Sequence, residues 1–287
     1  MLTALAEPSL IASDDTRIYW TSFADEVLAC AKADCSGTLA PIASPAGTTP
    51  HGIAVDANRV YWTRSGAEIA ACPLAGCGAA APAVIASGFS GAYFLAVDAT
   101  TVYWTDDLDG AVLSCPVTGC GATPTVFAPG EASPHGIAVT DTDVYWAVAG
   151  TGADGAIRSC PKTGCGGAPA TLVSNLAAPW FIAIDASSNI YWSERTGGGQ
   201  VSGCPIAGCA GAVTIYGDYG FGIYVDDRGI YYSGESNLLS YAAFDGSGPV
   251  HIWTEGSDTR GVTGDADFVY WVDRGAGTLM KLAKHDR

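Results

Sequence analysis

The sequence predicts an all-β, seven-bladed propeller with four strands per blade, because an apolar residue followed by an aromatic pair recurs seven times at near-even spacing. The recurrences are Ile18-Tyr19-Trp20, Val60-Tyr61-Trp62, Val102-Tyr103-Trp104, Val144-Tyr145-Trp146, Ile190-Tyr191-Trp192, Ile230-Tyr231-Tyr232 and Val269-Tyr270-Trp271. Counted from the last aromatic of each, the steps are 42, 42, 42, 46, 40 and 39 residues. A period near 41, made of short β-branched and aromatic runs separated by Gly, Pro, Asp and Asn, is that of four-stranded blades. No stretch of helical period competes with it.

Each unit resolves into four runs of strand length. In the second they are Gly52-Ile53-Ala54-Val55-Asp56, Val60-Tyr61-Trp62-Thr63, Glu68-Ile69-Ala70-Ala71-Cys72 and Pro82-Ala83-Val84-Ile85-Ala86. The turn from Asp56 to Arg59 joins the first two as a hairpin. Both faces of a blade pack on neighbours, so the strands are almost continuously apolar instead of alternating. The seventh unit supplies a first strand near Gly261 to Asp265, a second near Phe268 to Val272 and a third near Thr278 to Leu282, and then the chain stops. Leu2-Thr3-Ala4-Leu5-Ala6 is expected to supply the missing fourth strand and close the ring, which removes two exposed edges. Residues 1–287 thus form one domain.

Composition bounds the function. With 48% apolar and 15% charged residues over 287 positions, the chain can bury a core and is unlike a disordered chain. It lacks the glycine period of collagen and the apolar run of a membrane helix. Thirteen basic residues against 29 acidic ones give a net charge of -16, which repels phosphate backbones and anionic lipid. Neither nucleic acid nor a membrane is an expected partner.

The ten cysteines form five pairs of one spacing: Cys30 and Cys35, Cys72 and Cys77, Cys115 and Cys120, Cys160 and Cys165, Cys204 and Cys209. Structural zinc sites use two to four intervening residues and two pairs close together. Here four residues intervene and successive pairs stand about 40 residues apart. Four pairs carry proline after the first cysteine and glycine before the second, the residues of a tight turn. Five disulfides stapling the third-to-fourth-strand turns are expected, and with them an oxidising, secreted or periplasmic setting. Met1 to Ser9 has none of the features of a signal peptide, so the export reading implies a mature form.

Val102-Tyr103-Trp104-Thr105-Asp106, followed by Asp109-Gly110-Ala111-Val112, resembles the YWTD repeat of the low-density lipoprotein receptor propellers. Ala243-Phe244-Asp245-Gly246-Ser247-Gly248 resembles that family's turn after the third strand. The complete tetrapeptide stands only in the third unit, and the receptor propellers have six blades and no such cysteine staple. Pro50-His51-Gly52-Ile53-Ala54-Val55-Asp56 is similar to repeats of the NHL and virginiamycin B lyase types. Those families include peptide-amidating lyases whose histidines at such positions bind zinc. The resemblance implies a propeller and, less specifically, a divalent metal in the channel.

Immediately before the seven first strands stand Ser9, His51, Tyr93, His135, Trp180, Phe221 and Arg260, the least uniform part of the repeat. First strands are innermost in a propeller, so these residues are expected to ring one mouth of the channel, where propellers hold ligands. Pro8, Pro50, Pro134 and Pro179 stiffen four of the positions. His51 and His135 are the candidate metal ligands, with Tyr93 as an unusual third and no carboxylate in the ring for a base. Arg260 can neutralise an anion, and Trp180, Phe221 and Tyr93 offer stacking faces.

Asp106, Asp107 and Asp109 lack the length and glutamate of a calcium loop and read as a solvated turn. The paired aromatics read as core between blades. His251 and His285 have no partner pattern, and no nucleophile elbow, free thiol or phosphate loop occurs. The leading expectation is a secreted, non-enzymatic propeller binding a protein or glycan at one face or the channel mouth. A metal-dependent lyase or hydrolase at His51 and His135 is the alternative, and a structural envelope or matrix component the third.

Overall fold

A computed structural model describes residues 2–44, 49–196, 199–209, 213–218, 220–234, 238–245 and 247–284. His285 lies outside them. Seven antiparallel sheets follow one another along the chain, each pairing its strands in sequence order, six with four strands and the last with three. In the second blade the strands are Pro50–Val55, Arg59–Arg64, Glu68–Pro73 and Ala83–Ser87, within two residues of the expected bounds. The seven inner strands, from Pro8–Ser13 to Thr259–Gly264, pack side by side around the axis, and the last lies against the first.

The seventh sheet consists of Thr259–Gly264, Phe268–Asp273 and Thr278–Ala283. Its fourth place is taken by the start of the chain, where the Leu2 and Leu279 amides each donate to the other's carbonyl at 2.9 and 3.1 Å. The Leu5 amide donates to the Gly277 carbonyl at 2.9 Å. This closure is a bridge instead of the full strand expected over Leu2 to Ala6. Ala4 has a φ of 60°, a left-handed conformation that interrupts the ladder.

The core is divided into seven wedges, each between two blades. Tyr19 packs with Trp62, Tyr61 with Trp104, Tyr103 with Trp146, Tyr145 with Trp192, Tyr191 with Tyr232, Tyr231 with Trp271 and Tyr270 with Trp20. Adjacent residues of a strand point to opposite faces, so each aromatic pair sends its tyrosine forward and its tryptophan, or Tyr232, back. The Tyr19, Tyr61, Tyr191 and Tyr270 hydroxyls donate to Asp14, Asp56, Asp185 and Asp265 at 2.7 to 2.9 Å. The same aspartates accept backbone amides of the hairpin turn, as from Asn58 and Arg59 to Asp56 at 2.7 Å.

All five disulfides are formed, with Cα separations from 4.7 to 5.8 Å. The first closes a short helical turn, Cys35–Thr38, capped by Asp34. Each cystine turn also docks on the preceding blade. The Cys77 amide donates to the Ile42 carbonyl and the Cys120 amide to the Ile85 carbonyl, both at 2.9 Å. From the earlier blade, Arg17 and Arg59 donate back to the Leu74 and Val117 carbonyls at 2.6 and 3.2 Å. Cystine sulfurs therefore plug the outer ends of five wedges, and the two wedges that precede the sixth and seventh blades have none.

Candidate functional site

Six inner strands begin with a β-bulge that shapes the mouth. Pro50 pairs with Arg64 and Ile53 with Trp62, so His51 and Gly52 together face Thr63 alone. The same slip occurs at Ser9 and Leu10, Tyr93 and Phe94, His135 and Gly136, Trp180 and Phe181, and Arg260 and Gly261. At three of these bulges a hydroxyl on the second strand accepts the freed amide, Thr21 from Leu10 at 3.2 Å, Thr63 from Gly52 at 3.0 Å and Ser193 from Phe181 at 3.2 Å, and in the sixth blade Ser233 likewise accepts from Gly222 at 2.8 Å. Three of these hydroxyls also donate to the ring residue of the next blade, Thr21 to the His51 carbonyl, Ser193 to Phe221 and Ser233 to Arg260, at 2.8, 3.2 and 2.5 Å. A side chain at Gly52 or Gly136 would collide with the Tyr93 or Trp180 carbonyl, so glycine lets neighbouring inner strands close up there. The residues before Pro8, Pro134 and Pro179, namely Glu7, Ser133 and Ala178, have φ of 42°, 58° and 55°, which stores strain along this rim.

Six of the seven sequence-predicted ring residues join one circle of side-chain contacts, and Ser9 is buried beneath it. Starting from Phe23, the ring centroids step 5.6 Å to His51 and 4.5 Å from His51 to Tyr93. Phe94 carries the circle onward, edge-on to His51 at 6.1 Å and to His135 at 6.3 Å. His135 lies 3.6 Å from Trp180, whose outer face is covered by the Arg195 guanidinium at 4.2 Å. Arg195 and Arg260 both approach Phe221, at 5.8 and 4.6 Å. Asp258 joins Arg260 to Arg274 with 2.5 and 2.6 Å ion pairs, and Arg274 reaches back over Phe23 at 5.7 Å.

Below the belt the channel is lined by two residues from each blade, nearly all apolar, around a cavity of about 160 Å³. Phe94 and Phe181 meet across it at 4.9 Å. The mouth is thus a shallow dish with a greasy floor. Burial of the imidazoles holds both histidines neutral. His51 is pushed down to about 4, against a hydrogen bond to the Tyr93 carbonyl and with help from the Arg260 charge. His135 is also pushed down to about 4, by burial and by the Arg195 charge. His135 Nε2 lies 3.2 Å from the Ser133 hydroxyl.

Among the described residues no three or more His, Cys, Asp or Glu side chains gather as a metal site. The mouth thus offers two histidines, one short of the three ordinary protein ligands of catalytic zinc, with Tyr93 against the ring of His51. Asp106 accepts the Ser90 and Asp109 amides, both at 3.0 Å, and so fastens a mouth loop. His251 lies on the sixth outer strand, 2.9 Å from the Ser240 hydroxyl and away from the belt.

Sequence reasoning missed Phe23, Arg195, Arg274, Asp258, Phe94 and Phe181. Phe23, Arg195 and Arg274 each stand three residues after the tryptophan of their blade, so the repeat itself marks that position once it is counted.

No protein-family model matches this chain, and no curated protein matches it. Solved structures do. Selenomethionine-substituted virginiamycin B lyase from Staphylococcus aureus is 11% identical with a TM-score of 0.75, covering 98% of this chain and 96% of that one. A chain of the nidogen/laminin complex is 17% identical with a TM-score of 0.65, covering 83% and 91%. The WD40 propeller domain of Doa1 is 10% identical with a TM-score of 0.75, covering 100% and 95%. At such identities the likeness establishes the propeller fold and nothing finer.

Proposed function

We propose that this protein is a non-enzymatic binding propeller of an oxidising compartment outside the cytoplasm, taking an acidic segment of a protein partner at the mouth. The observation that carries this reading is the placement of Arg195, Arg260 and Arg274 over aromatic faces in a chain of net charge -16. Arg260 and Arg274 share Asp258, whereas Arg195 has no carboxylate partner among the described residues. A guanidinium laid on an indole keeps its donor edge free for bidentate contact with a carboxylate. The phenylalanine floor favours a partner lying across the dish over a substrate entering the channel, and Asp258 is tied to two arginines. The five cystines support the compartment. No helix of the described residues is long and apolar enough to cross a membrane.

Selection of phage-displayed peptides on the disulfide-intact protein tests the reading. Enriched sequences should join Asp or Glu to an aromatic residue and lose roughly tenfold or more in affinity on Arg195→Ala, the scale of one charge-assisted contact. Neutral or basic enriched sequences, or affinity indifferent to Arg195→Ala, overturn it. The histidine pair and the virginiamycin B lyase neighbour favour a second reading, a metal-dependent lyase. That reading requires about one metal ion per chain by elemental analysis, lost in the His51→Ala, His135→Ala double variant.

A further inference from the structure

The outer ends of the blade-to-blade wedges are plugged wherever the following blade carries a cystine turn. Leu74 and Cys77 fill the wedge between blades one and two, Val117 and Cys120 the next, and Ile206 and Cys209 the one between four and five. The sixth blade has no cysteine pair. Its turn begins Phe244-Asp245, and beside it a cleft of about 720 Å³ opens at the seam with blade five. The cleft lies on the face opposite the mouth, where the hairpin turns at Asp185 and Asp226 project.

One wall is aromatic. Tyr191 and Phe244 stack at 5.8 Å, and Tyr216 meets them edge-on at 5.7 and 6.3 Å. Phe244 is 38% exposed, although a phenylalanine in a plugged wedge would be covered. The Tyr191 ring is fixed by its hydroxyl on Asp185 at 2.9 Å. The polar rim consists of Ser187, Asn189, Thr214, Asp185, Asp226 and the exposed carboxylate of Asp227, and among the described residues no lysine or arginine lines the cleft. Acceptors without cations disfavour phosphate, sulfate and carboxylate ligands. A ligand with one apolar face and several hydroxyl donors fits both the wall and the rim, and the volume suits one to three rings.

We infer that this seam, unplugged by the missing cystine turn, is a binding site for a neutral sugar, stacked on Phe244 and Tyr216 and hydrogen-bonded by Asp227, Asn189 and Thr214. It is independent of the mouth and of the partner proposed there.

Saturation-transfer NMR on the intact, oxidised protein tests it with glucose, galactose, mannose, N-acetylglucosamine and their β-linked disaccharides as probes. Tetramethylammonium and glucuronate serve as charged comparisons. Transfer to the ring protons of at least one neutral sugar is expected. Affinity should fall roughly tenfold in Phe244→Ala, recover in Phe244→Trp and stay unchanged in Arg195→Ala, since one aromatic contact contributes on that scale. Phe244 is partly exposed, so its removal leaves the fold intact, which the methyl region of the same spectra verifies. Transfer to no neutral sugar, transfer only to tetramethylammonium, or transfer that survives Phe244→Ala and is lost in Arg195→Ala overturns the inference.

Discussion

Replacing Ser233 by alanine removes one oxygen that serves two blades. The hydroxyl accepts the Gly222 amide at 2.8 Å and donates to the Arg260 carbonyl at 2.5 Å, and Ser233 is fully buried. The space that one hydroxyl vacates is too small to admit a water in its place. An unpaired buried amide costs about 2 kcal/mol and a less buried carbonyl about 1, so the variant should lose about 3 kcal/mol. Unfolding entropy for a chain of 287 residues is roughly 0.6 kcal/mol per degree, which makes this a fall of about 5 °C in Tm. Differential scanning calorimetry and urea titration, both under oxidising conditions, give the two numbers. A shift under about 1 °C would refute the claim that the mouth is held by hydroxyls shared between blades.

Three further outcomes follow from the structure. The histidines have folded-state values near 4, below the unfolded value of about 6.5, so the unfolded chain binds their protons first. Their contribution to stability is complete above about pH 6.5 and is lost as pH falls toward 4, and urea midpoints should decline across that window. The His51→Gln, His135→Gln double variant should flatten the decline, and an unchanged slope would contradict the burial argument. Unfolding without reductant should release almost no free thiol, whereas ten would contradict the cystines. Cys115→Ser with Cys120→Ser opens a six-residue loop and should cost about 2 kcal/mol, or about 3 °C, by calorimetry.

The blade repeat was legible because Tyr103 and Trp104 each fill a different wedge, so an aromatic pair recurs wherever a second strand runs, as Tyr231 and Tyr232 in the sixth blade. The ring from His51 to Arg260 was legible for a related reason, since the position before an inner strand must face the mouth. The rest of the belt was not. Arg195 and Arg274 come from turns that no backbone requirement fixes, and they reach Trp180 and Phe23 only through the curvature of the sheets. The hydroxyls of Thr21 and Thr63 stood in plain sight after the aromatics, but their use depends on a bulge that strand patterning does not reveal. The cleft beside Phe244 is marked in the sequence by something missing, the cysteine pair, whose meaning appears once Cys77 and Cys120 are seen docked on the blade before them.

Because every wedge takes its tyrosine from one blade and its tryptophan or Tyr232 from the next, the unit that melts is out of phase with the unit that repeats. A single blade excised along its sequence boundaries would carry two halves of different cores and no whole one. Gain or loss of a repeat in such a ring therefore means recutting two interfaces at once. Local opening must begin at a seam, with the pair of blades that follow the last cystine, six and seven, as the natural place for the circle to part first.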